Sequence, residues 1–450
     1  MTYTSPTATN PIRHPDASSP EVMGRRGWWL VGLGILIPGS AQLLAGDKRL
    51  GRFAVLTTFV LWALAVLTLL LWLVARPVVL TVATHPVGLT LVQVLAAGYA
   101  LLWLLLAIDT LRLVRLVRLA PLARMGIATL GVVALVATAG GAGYAAVIAG
   151  SARGVLDSVF SGGQYADPID GRYNVMVLGG DAGADRLGLR PDSISVMSID
   201  ADTGATSIIG VPRNLENIPF TEGSPLYEDF PNGYDCGIDC LISYLYTYGV
   251  EHPELYPEAA SIGSDPGIEA MRDGVEAVTG LTMQYYVLID MQGFSQLIDA
   301  LGGIEIDVPT KVLLGKNGEK AIGSIPAGVQ QMDGATALWY ARSRYNVTDY
   351  DRMLRQRQVQ EAIIAQVEPG NLVTKFQAVA EAGSQVVKTD IPSSMLSHFI
   401  ELASGARSMP VTTLELVPPA IDTNHPDVTL IHELVQQSLV VPTNTPTPEG

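Results

Sequence analysis

The sequence predicts an α/β domain with a mixed sheet flanked by helices, placed after an N-terminal multi-helix membrane region. Hydrophobic residues make up 48% of the 450-residue chain and charged residues only 16%, well below the usual quarter. The apolar surplus lies early, in three uncharged stretches before residue 153. After residue 171, short runs rich in β-branched and apolar residues alternate with helical patterns, which is typical of an α/β domain.

The N-terminal part predicts a short tail followed by membrane spans. Residues 1–23 are polar and contain four prolines, so we expect a disordered cytoplasmic tail. The membrane region is predicted over residues 24–150. Spans are expected near 53–75, 87–108 and 126–149, because each lies in an uncharged run long enough to cross a bilayer.

The first apolar piece, residues 28–45, is interrupted by Pro38-Gly39-Ser40 and has basic residues on both sides. Because positive flanks stay in the cytoplasm, we expect a re-entrant piece that enters and leaves from that side. An ordinary fourth span is the alternative. With three spans the protein is a multi-pass protein of the cell membrane whose C-terminal domain lies outside the cytoplasm; with four spans that domain would lie inside.

Charge and cysteine content exclude several classes of protein. Residues 1–150 carry 11 Lys and Arg against 4 Asp and Glu (net +7), and the rest carries 17 against 39 (net −22). A domain with this much negative charge lacks the basic surface that binding to a nucleic acid requires, which argues against a nucleic-acid-binding protein. The chain has two cysteines, which excludes a disulfide scaffold and a four-cysteine zinc site.

The predicted domain covers residues 172–440, after a linker at 151–171 and before a disordered tail at 441–450. Its apolar runs predict five strands, and helical patterns lie between and after them. The strands are expected at Tyr173–Leu178, Ser193–Ile199, Thr206–Val211, Tyr285–Asp290 and Ile304–Val308. The helices are expected at Gly267–Val278, Met291–Leu301 and Asp351–Gln366.

Two aspartates lie beside neighbouring strands of this sheet. Asp181 follows the first strand in a Gly-Gly-Asp sequence, and Asp192 precedes the second in Arg190-Pro191-Asp192. Loops at strand ends bind ligands in open α/β sheets, and one or two carboxylates with water and phosphate oxygens are the usual ligands of Mg²⁺. The spacing is compatible with a magnesium site. From the spacing alone, two solvated turn residues are the more ordinary interpretation.

A dense arginine cluster lies in residues 339–358, which hold five of the seventeen basic residues after residue 150. Helix N-termini attract phosphate, and arginine matches phosphate oxygens in a bidentate way. The pattern therefore favours an anion site, and Arg213, after the third strand, could join it. The alternative is a surface helix whose arginines are neutralised by Asp349 and Asp351. The cluster contains Arg342, Arg344, Arg352, Arg355 and Arg357.

Cys236 and Cys240 lie four residues apart in the sequence CGIDC. Outside the cytoplasm a disulfide between them is the natural interpretation. No histidine lies within ten residues of them, which argues against a shared metal site.

The order of motifs resembles that of the LytR-CpsA-Psr family of membrane-anchored cell-wall phosphotransferases. The motifs are a strand ending in GGD, then RPDS, VPRN, YYVLIDMQGFSQLIDALGGIEIDVP and IPAGVQQMDGATALWYARSRYNVTDYDRMLRQRQ. The similarity runs from about residue 172 to 368. It implies an extracytoplasmic domain that moves a glycopolymer from a polyprenyl-pyrophosphate carrier, a membrane lipid, onto peptidoglycan, with Mg²⁺ as cofactor.

The resemblance also implies roles for individual residues. Asp181 and Asp192 match the metal-associated aspartates. Where the family often has an arginine two residues after the first aspartate, this chain has Gly183, and either Arg186 or Arg190 can substitute. The remaining positions match residues that hold the pyrophosphate or lie beside it: Arg213, Arg342, Arg344, Arg352, Arg355 and Gln356.

Two other functions stay open from the sequence. The same site could serve a phosphohydrolase that passes the phosphoryl group to water, or a non-catalytic protein that binds the lipid head. The sequence does not encode the acceptor legibly, so peptidoglycan is an expectation from the resemblance alone.

Overall fold

The protein is described here from a computed structural model that covers residues 12–13, 15–16, 19–160, 163–181, 190–315, 318, 320–366, 387–407 and 409–440. The expected tail at 441–450 lies outside the described residues. The chain divides into two compact units, Met1–Arg153 and Gly154–Gly450.

The first unit is built from helices. A single turn of 3₁₀ helix, Leu116–Arg118, follows the fifth helix, and one π-helical turn, Val136–Gly140, joins the sixth to the seventh. The helices are α1 (Pro20–Leu36), α2 (Ser40–Ala45), α3 (Lys48–Val74), α4 (Arg76–Thr84), α5 (Pro86–Val114), α6 (Pro121–Leu135) and α7 (Gly141–Val159).

Three segments of this unit are long and apolar enough to cross a membrane, namely Lys48–Val74, Pro86–Arg118 and Pro121–Gly154. They overlap the spans predicted near 53–75, 87–108 and 126–149. Most of their side chains point away from the protein interior, as expected of helices whose surroundings are lipid.

The apolar piece at 28–45 is divided into two helices at Gly39. This glycine has φ of +96°, and a Cβ atom there would lie 2.7 Å from the Cβ of Ala54 on α3. Both the left-handed backbone and the close packing therefore require glycine. The interruption predicted at Pro38-Gly39-Ser40 is present. The re-entrant path across the membrane stays a prediction.

Two expected boundaries were wrong. Helix α1 begins at Pro20, inside the tail expected to be disordered, because Ser19 caps the helix and proline occupies its first turn. Helix α7 continues to Val159, so the first part of the expected linker at 151–171 is helical.

A six-stranded mixed sheet organises the second unit, in the order β10-β3-β2-β1-β4-β9. Strands β1 and β4 are parallel, as are β3 and β10, and the other neighbours are antiparallel. The strands are β1 (Arg172–Asp181), β2 (Arg190–Asp200), β3 (Thr206–Val211), β4 (Tyr285–Asp290), β9 (Val387–Thr389) and β10 (Thr412–Glu415). The predicted mixed α/β sheet is confirmed.

Helices pack on both faces of this sheet. On one face Met176 and Val196 contact Met271 and Val275 of α9, and on the other Val175 packs with residues of α13. The helices are α8 (Leu245–Glu251), α9 (Pro266–Thr279), α10 (Met291–Leu301), α11 (Gly334–Arg342), α12 (Asp349–Gln366), α13 (Leu396–Ala406) and α14 (Val428–Leu439).

The predicted strand at Ile304–Val308 forms as β5, but outside the main sheet. It pairs with β8 (Gly328–Met332), and a second short pair joins β6 (Val312–Leu314) to β7 (Gly323–Ile325). These pairs pack with α10, α11 and α12 in a separate core. The chain therefore leaves the main sheet after β4 and returns through α12, which carries the arginine-rich segment back to β2 and β3.

Candidate active site at the adjoining ends of strands β1 and β2

A β-bulge sets the position of Asp192. Gly179 pairs with Ser193 and Gly180 with Pro191, so Asp192 is an extra residue on β2 without a partner on β1. Bulges re-aim a side chain and are frequent beside active sites. Asp181 pairs with Arg190 at the end of β1. Its backbone is described but its side chain is not, so the expected meeting of the Asp181 and Asp192 carboxylates lies outside the described residues.

The Asp192 carboxylate receives two arginines from distant parts of the chain. Arg213, just after β3, donates from Nη1 to one carboxylate oxygen. Arg344, between α11 and α12, donates from Nη2 to the other at 3.4 Å. The predicted convergence of Asp192, Arg213 and Arg344 is therefore present in the structure.

Asp349, the first residue of α12, is a second acidic centre for the same arginines. Its carboxylate lies 3.3 Å from Nε of Arg213, 3.9 Å from Nε of Arg344 and 3.7 Å from Nη2 of Arg352. Burial alone would lower the pKa of Arg213, but Asp192 and Asp349 together raise it. Among the side chains that the structure describes, three arginines therefore share two carboxylates, which leaves one net positive charge.

Arg352 is the most enclosed arginine of this cluster. Its side chain is only 3% exposed, and Nη2 donates to the backbone carbonyl of Asp192 at 3.2 Å. Its Nε is buried and has no hydrogen-bond partner among the described residues. Burial lowers the pKa of Arg352 to about 10. A buried cation with an unused N–H is under-stabilised, and an anionic ligand would supply what it lacks.

Arg355, predicted to lie beside the pyrophosphate, has a different role. Its guanidinium donates to the backbone carbonyls of Tyr340 (2.7 Å), Ser343 (2.5 Å) and Asp351 (3.3 Å). Burial lowers its pKa as well. Because its donors are used by these carbonyls, Arg355 fixes the connection between α11 and α12 and thereby the position of Arg344.

Two predicted site arginines are stacked on aromatic rings. The guanidinium carbon of Arg342 lies 5.0 Å from the ring centre of Trp339, and that of Arg190 lies 4.6 Å from the ring centre of Tyr244. Among the described residues, Arg342 forms no ion pair with Asp192 or Asp349. Arg342 is therefore close to Arg344 in the sequence, but in the structure it does not join the arginines that contact Asp192 and Asp349.

A small polar cavity lies directly behind the cluster. Asp192, Arg213 and Gln356 line it together with Ser195, Gln360 and Glu415. Gln356 also approaches the carbonyl of Ala341 at 3.5 Å. Gln360 donates to Ser195 at 3.0 Å, so the polar lining is bonded between α12 and β2. With a volume of about 10 Å³, the cavity has room for at most a single water molecule.

Asp349 was expected to neutralise arginines of its own segment, and the structure extends this role to Arg213. It lies three residues before Arg352, a spacing that predicts a local ion pair, but its contacts with Arg213 and Arg344 depend on the tertiary fold. The 3₁₀ segment that carries Tyr244 has no periodic pattern from which its position could be predicted. Cys236 and Cys240, which precede it, form a disulfide.

The described residues contain no group of three or more His, Cys, Asp or Glu side chains placed to hold a metal ion. Mg²⁺ rarely uses such a group, because it usually keeps several waters and takes one or two carboxylates with substrate phosphates. Asp181 and Asp192, at adjoining strand ends, fit that kind of donor set.

Two known proteins are similar in sequence to part of this chain. LcpA, a cell wall biosynthesis protein of Corynebacterium glutamicum, is 26% identical over 305 residues, covering 59% of this chain and 56% of LcpA. TagU of Halalkalibacterium halodurans, named a polyisoprenyl-teichoic acid–peptidoglycan teichoic acid transferase, is 26% identical over 238 residues, covering 52% of this chain and 65% of TagU. This chain therefore matches less than two thirds of the length of either relative.

The crystal structure of Bacillus subtilis TagV aligns with 60% of this chain and 98% of its own, with 21% identity and a TM-score of 0.43. The model of the LytR_cpsA_psr family matches residues 158–425, which is more than half of the sequence and includes the sheet, the bulge at Asp192 and the arginine cluster. The chain belongs to the LytR_cpsA_psr family.

Proposed function

We propose that the protein is a membrane-anchored phosphotransferase that moves a glycopolymer from a polyprenyl-pyrophosphate carrier to peptidoglycan. The observation that carries this proposal is the cluster of Arg213, Arg344 and Arg352, in which the buried Nε of Arg352 has no hydrogen-bond partner among the residues described. The names of its relatives support a cell-wall transferase. They include a teichoic acid transferase and a cell wall biosynthesis protein.

The arginine cluster suits a diphosphate. Phosphoryl transfer requires mainly that the reacting groups be positioned and that the charge on the phosphate oxygens be stabilised. A diphosphate between Arg213, Arg344 and Arg352 would replace the carboxylates of Asp192 and Asp349 as partner of these cations. It would also offer an acceptor to the buried Nε of Arg352.

The proposed reaction exchanges one oxygen bond to phosphorus for another. A hydroxyl oxygen of the acceptor attacks the phosphorus attached to the glycopolymer, the bond to the bridging oxygen breaks, and polyprenyl phosphate leaves. The proton of the hydroxyl passes to a carboxylate. Asp349 suits this task, because its side chain is one third exposed and a bound diphosphate would relieve it of its arginine partners.

We further propose that Asp181 and Asp192 hold a Mg²⁺ ion in the working protein. When bound, the ion would supply positive charge to the phosphate oxygens that become the leaving group. Asp192 already accepts from Arg213 and Arg344. A diphosphate that takes over Arg213 and Arg344 would free this carboxylate for the metal ion.

The membrane arrangement follows from the same proposal. Three spans with basic cytoplasmic flanks would place the second unit outside the cytoplasm, where peptidoglycan lies. Protease added to intact protoplasts is then expected to digest the second unit. Complete protection of that unit would contradict the arrangement.

The decisive experiment uses the full-length protein in detergent with a radiolabelled polyprenyl-pyrophosphate oligosaccharide, Mg²⁺ and peptidoglycan. Label joined to peptidoglycan supports the proposal. Release of free glycan phosphate with no label on the acceptor would identify a phosphohydrolase, and an intact donor that stays bound would identify a lipid-head binder. Arg407→Gln is the matched control, because Arg407 is an exposed arginine of the same unit, away from the cluster.

A further inference from the structure

The connection between β3 and α9, residues 212–265, reaches the edge of the arginine cluster. It contains ten Asp and Glu but a single basic residue, Arg213. It also contains eight Phe and Tyr residues. This connection is hereafter called the aromatic insertion. Most of its rings pack on one another, but Tyr244 lies against Arg190 on β2.

Backbone hydrogen bonds hold Tyr244 close to the site. The preceding residue, Ser243, donates its N–H to the carbonyl of Arg213 at 3.3 Å, and Ile242 donates to the carbonyl of Leu215 at 2.9 Å. Ile242 and Ser243 are buried. The disulfide Cys236–Cys240 closes the turn just before this segment. The ring of Tyr244 is therefore fixed relative to the backbone that carries Arg213.

Arg190 differs from the other arginines here. Arg213, Arg344 and Arg352 each lie against a carboxylate, whereas the contact described for Arg190 is the face of a tyrosine ring. Arg190 is exposed. Stacking covers one face of a guanidinium and leaves the N–H groups at its edge able to bind an oxyanion. It also restricts the side chain before the ligand arrives, which reduces the entropy lost on binding.

We propose that Tyr244 is a positioning residue that holds Arg190 for contact with a phosphate oxygen of the pyrophosphate donor. Arg190 lies two residues from Asp192 on β2, at the point where β2 pairs with the end of β1, and is therefore at the same end of the strand as the Asp192 carboxylate. This inference rests on the proposed function, since the ligand of Arg190 is the donor bound by the other arginines. The aromatic insertion thereby becomes part of the binding site.

The test measures binding of farnesyl pyrophosphate to the full-length protein in detergent. Tyr244→Leu should weaken binding about fivefold, a change typical of a partly exposed cation–π contact. Tyr244→Phe and Tyr244→Trp keep the ring and should bind within about twofold of wild type. Arg190→Gln should weaken binding at least as much as Tyr244→Leu, and the double variant should be no weaker than Arg190→Gln alone, because the tyrosine acts through the arginine.

Tyr248→Leu is the matched control. Tyr248 belongs to the same insertion, contacts Phe230 and His252, and donates to Asp229, but it does not touch Arg190 among the contacts described. It should leave affinity unchanged. An equal loss in Tyr248→Leu, normal binding in Tyr244→Leu, or a further loss in the double variant would each overturn the inference. If the wild-type protein fails to bind farnesyl pyrophosphate, the proposed function itself fails, and the two failures are thus distinguished.

Discussion

Replacing Arg352 with glutamine tests the arrangement of the site most directly. The guanidinium is 3% exposed, pairs with Asp349 at 3.7 Å and has a buried Nε without a partner among the described residues. Removing one member of a buried charged contact costs about 2–5 kcal/mol of binding energy. At about 1.4 kcal/mol per factor of ten, the affinity for farnesyl pyrophosphate should fall by between roughly 30-fold and several thousand-fold.

The folded protein should tolerate this change, because Asp349 keeps Arg213 at 3.3 Å and Arg344 at 3.9 Å as partners. The free energy of unfolding should increase, because the substitution removes a charge that is poorly solvated in the folded protein, as the lowered pKa of Arg352 indicates. Equilibrium binding and thermal unfolding of the full-length protein separate the two effects. Arg352→Lys should bind with intermediate affinity, since it keeps the charge and loses the planar donor group. Binding within threefold of wild type by Arg352→Gln would refute the reasoning.

Four further outcomes are expected. Asp192→Asn should reduce glycan transfer about 100-fold, and near-normal transfer would remove Asp192 from the mechanism. EDTA should abolish transfer and MgCl₂ restore it, whereas full activity after chelation would exclude the metal. Arg355→Met leaves the backbone carbonyls of Tyr340 and Ser343 without this donor and should lower the free energy of unfolding by about 2–4 kcal/mol, as measured by thermal unfolding; an unchanged melting temperature would contradict its bracing role. Burial raises the pKa of Glu276 to about 7, so the folded state binds this proton more tightly than the unfolded state and stability falls as pH rises from about 4.5 to 7. Glu276→Gln should therefore match wild type near pH 4.5 and be about 2–3 kcal/mol more stable at pH 8, and parallel pH profiles would contradict this.

Much of the fold could be predicted because local signals agreed with the tertiary structure. The helix predicted at Met291–Leu301 has those bounds in the structure, since Asp290 caps its start and Gly302 adopts a left-handed backbone at its end. Four strands of the main sheet, β1 to β4, were predicted from their apolar runs, whereas the two short edge strands β9 and β10 were not. The position of β5 in a separate sheet could not be predicted, because an alternating pattern gives a strand but not its partner.

The site was less predictable than the fold. Residue type and spacing suggested that Arg352 and Arg355 would act together, since they are three apart on one helix. The structure directs Arg352 to Asp349 and Asp192 and directs Arg355 to the end of α11. Which anion or carbonyl an arginine reaches depends on how distant elements pack. Asp192 shows the same limit, because the bulge that turns it depends on the register between two strands.

The two carboxylates within the arginine cluster have a consequence for ligand choice. When no substrate is bound, Asp192 and Asp349 supply the negative charges that substrate phosphates would supply. They thereby reduce the repulsion between Arg213, Arg344 and Arg352. A bound ion with a single charge offers these cations no more negative charge than the two carboxylates already provide. A ligand with several charges on adjacent phosphates improves on them, so chloride or acetate in the medium should not occupy the site.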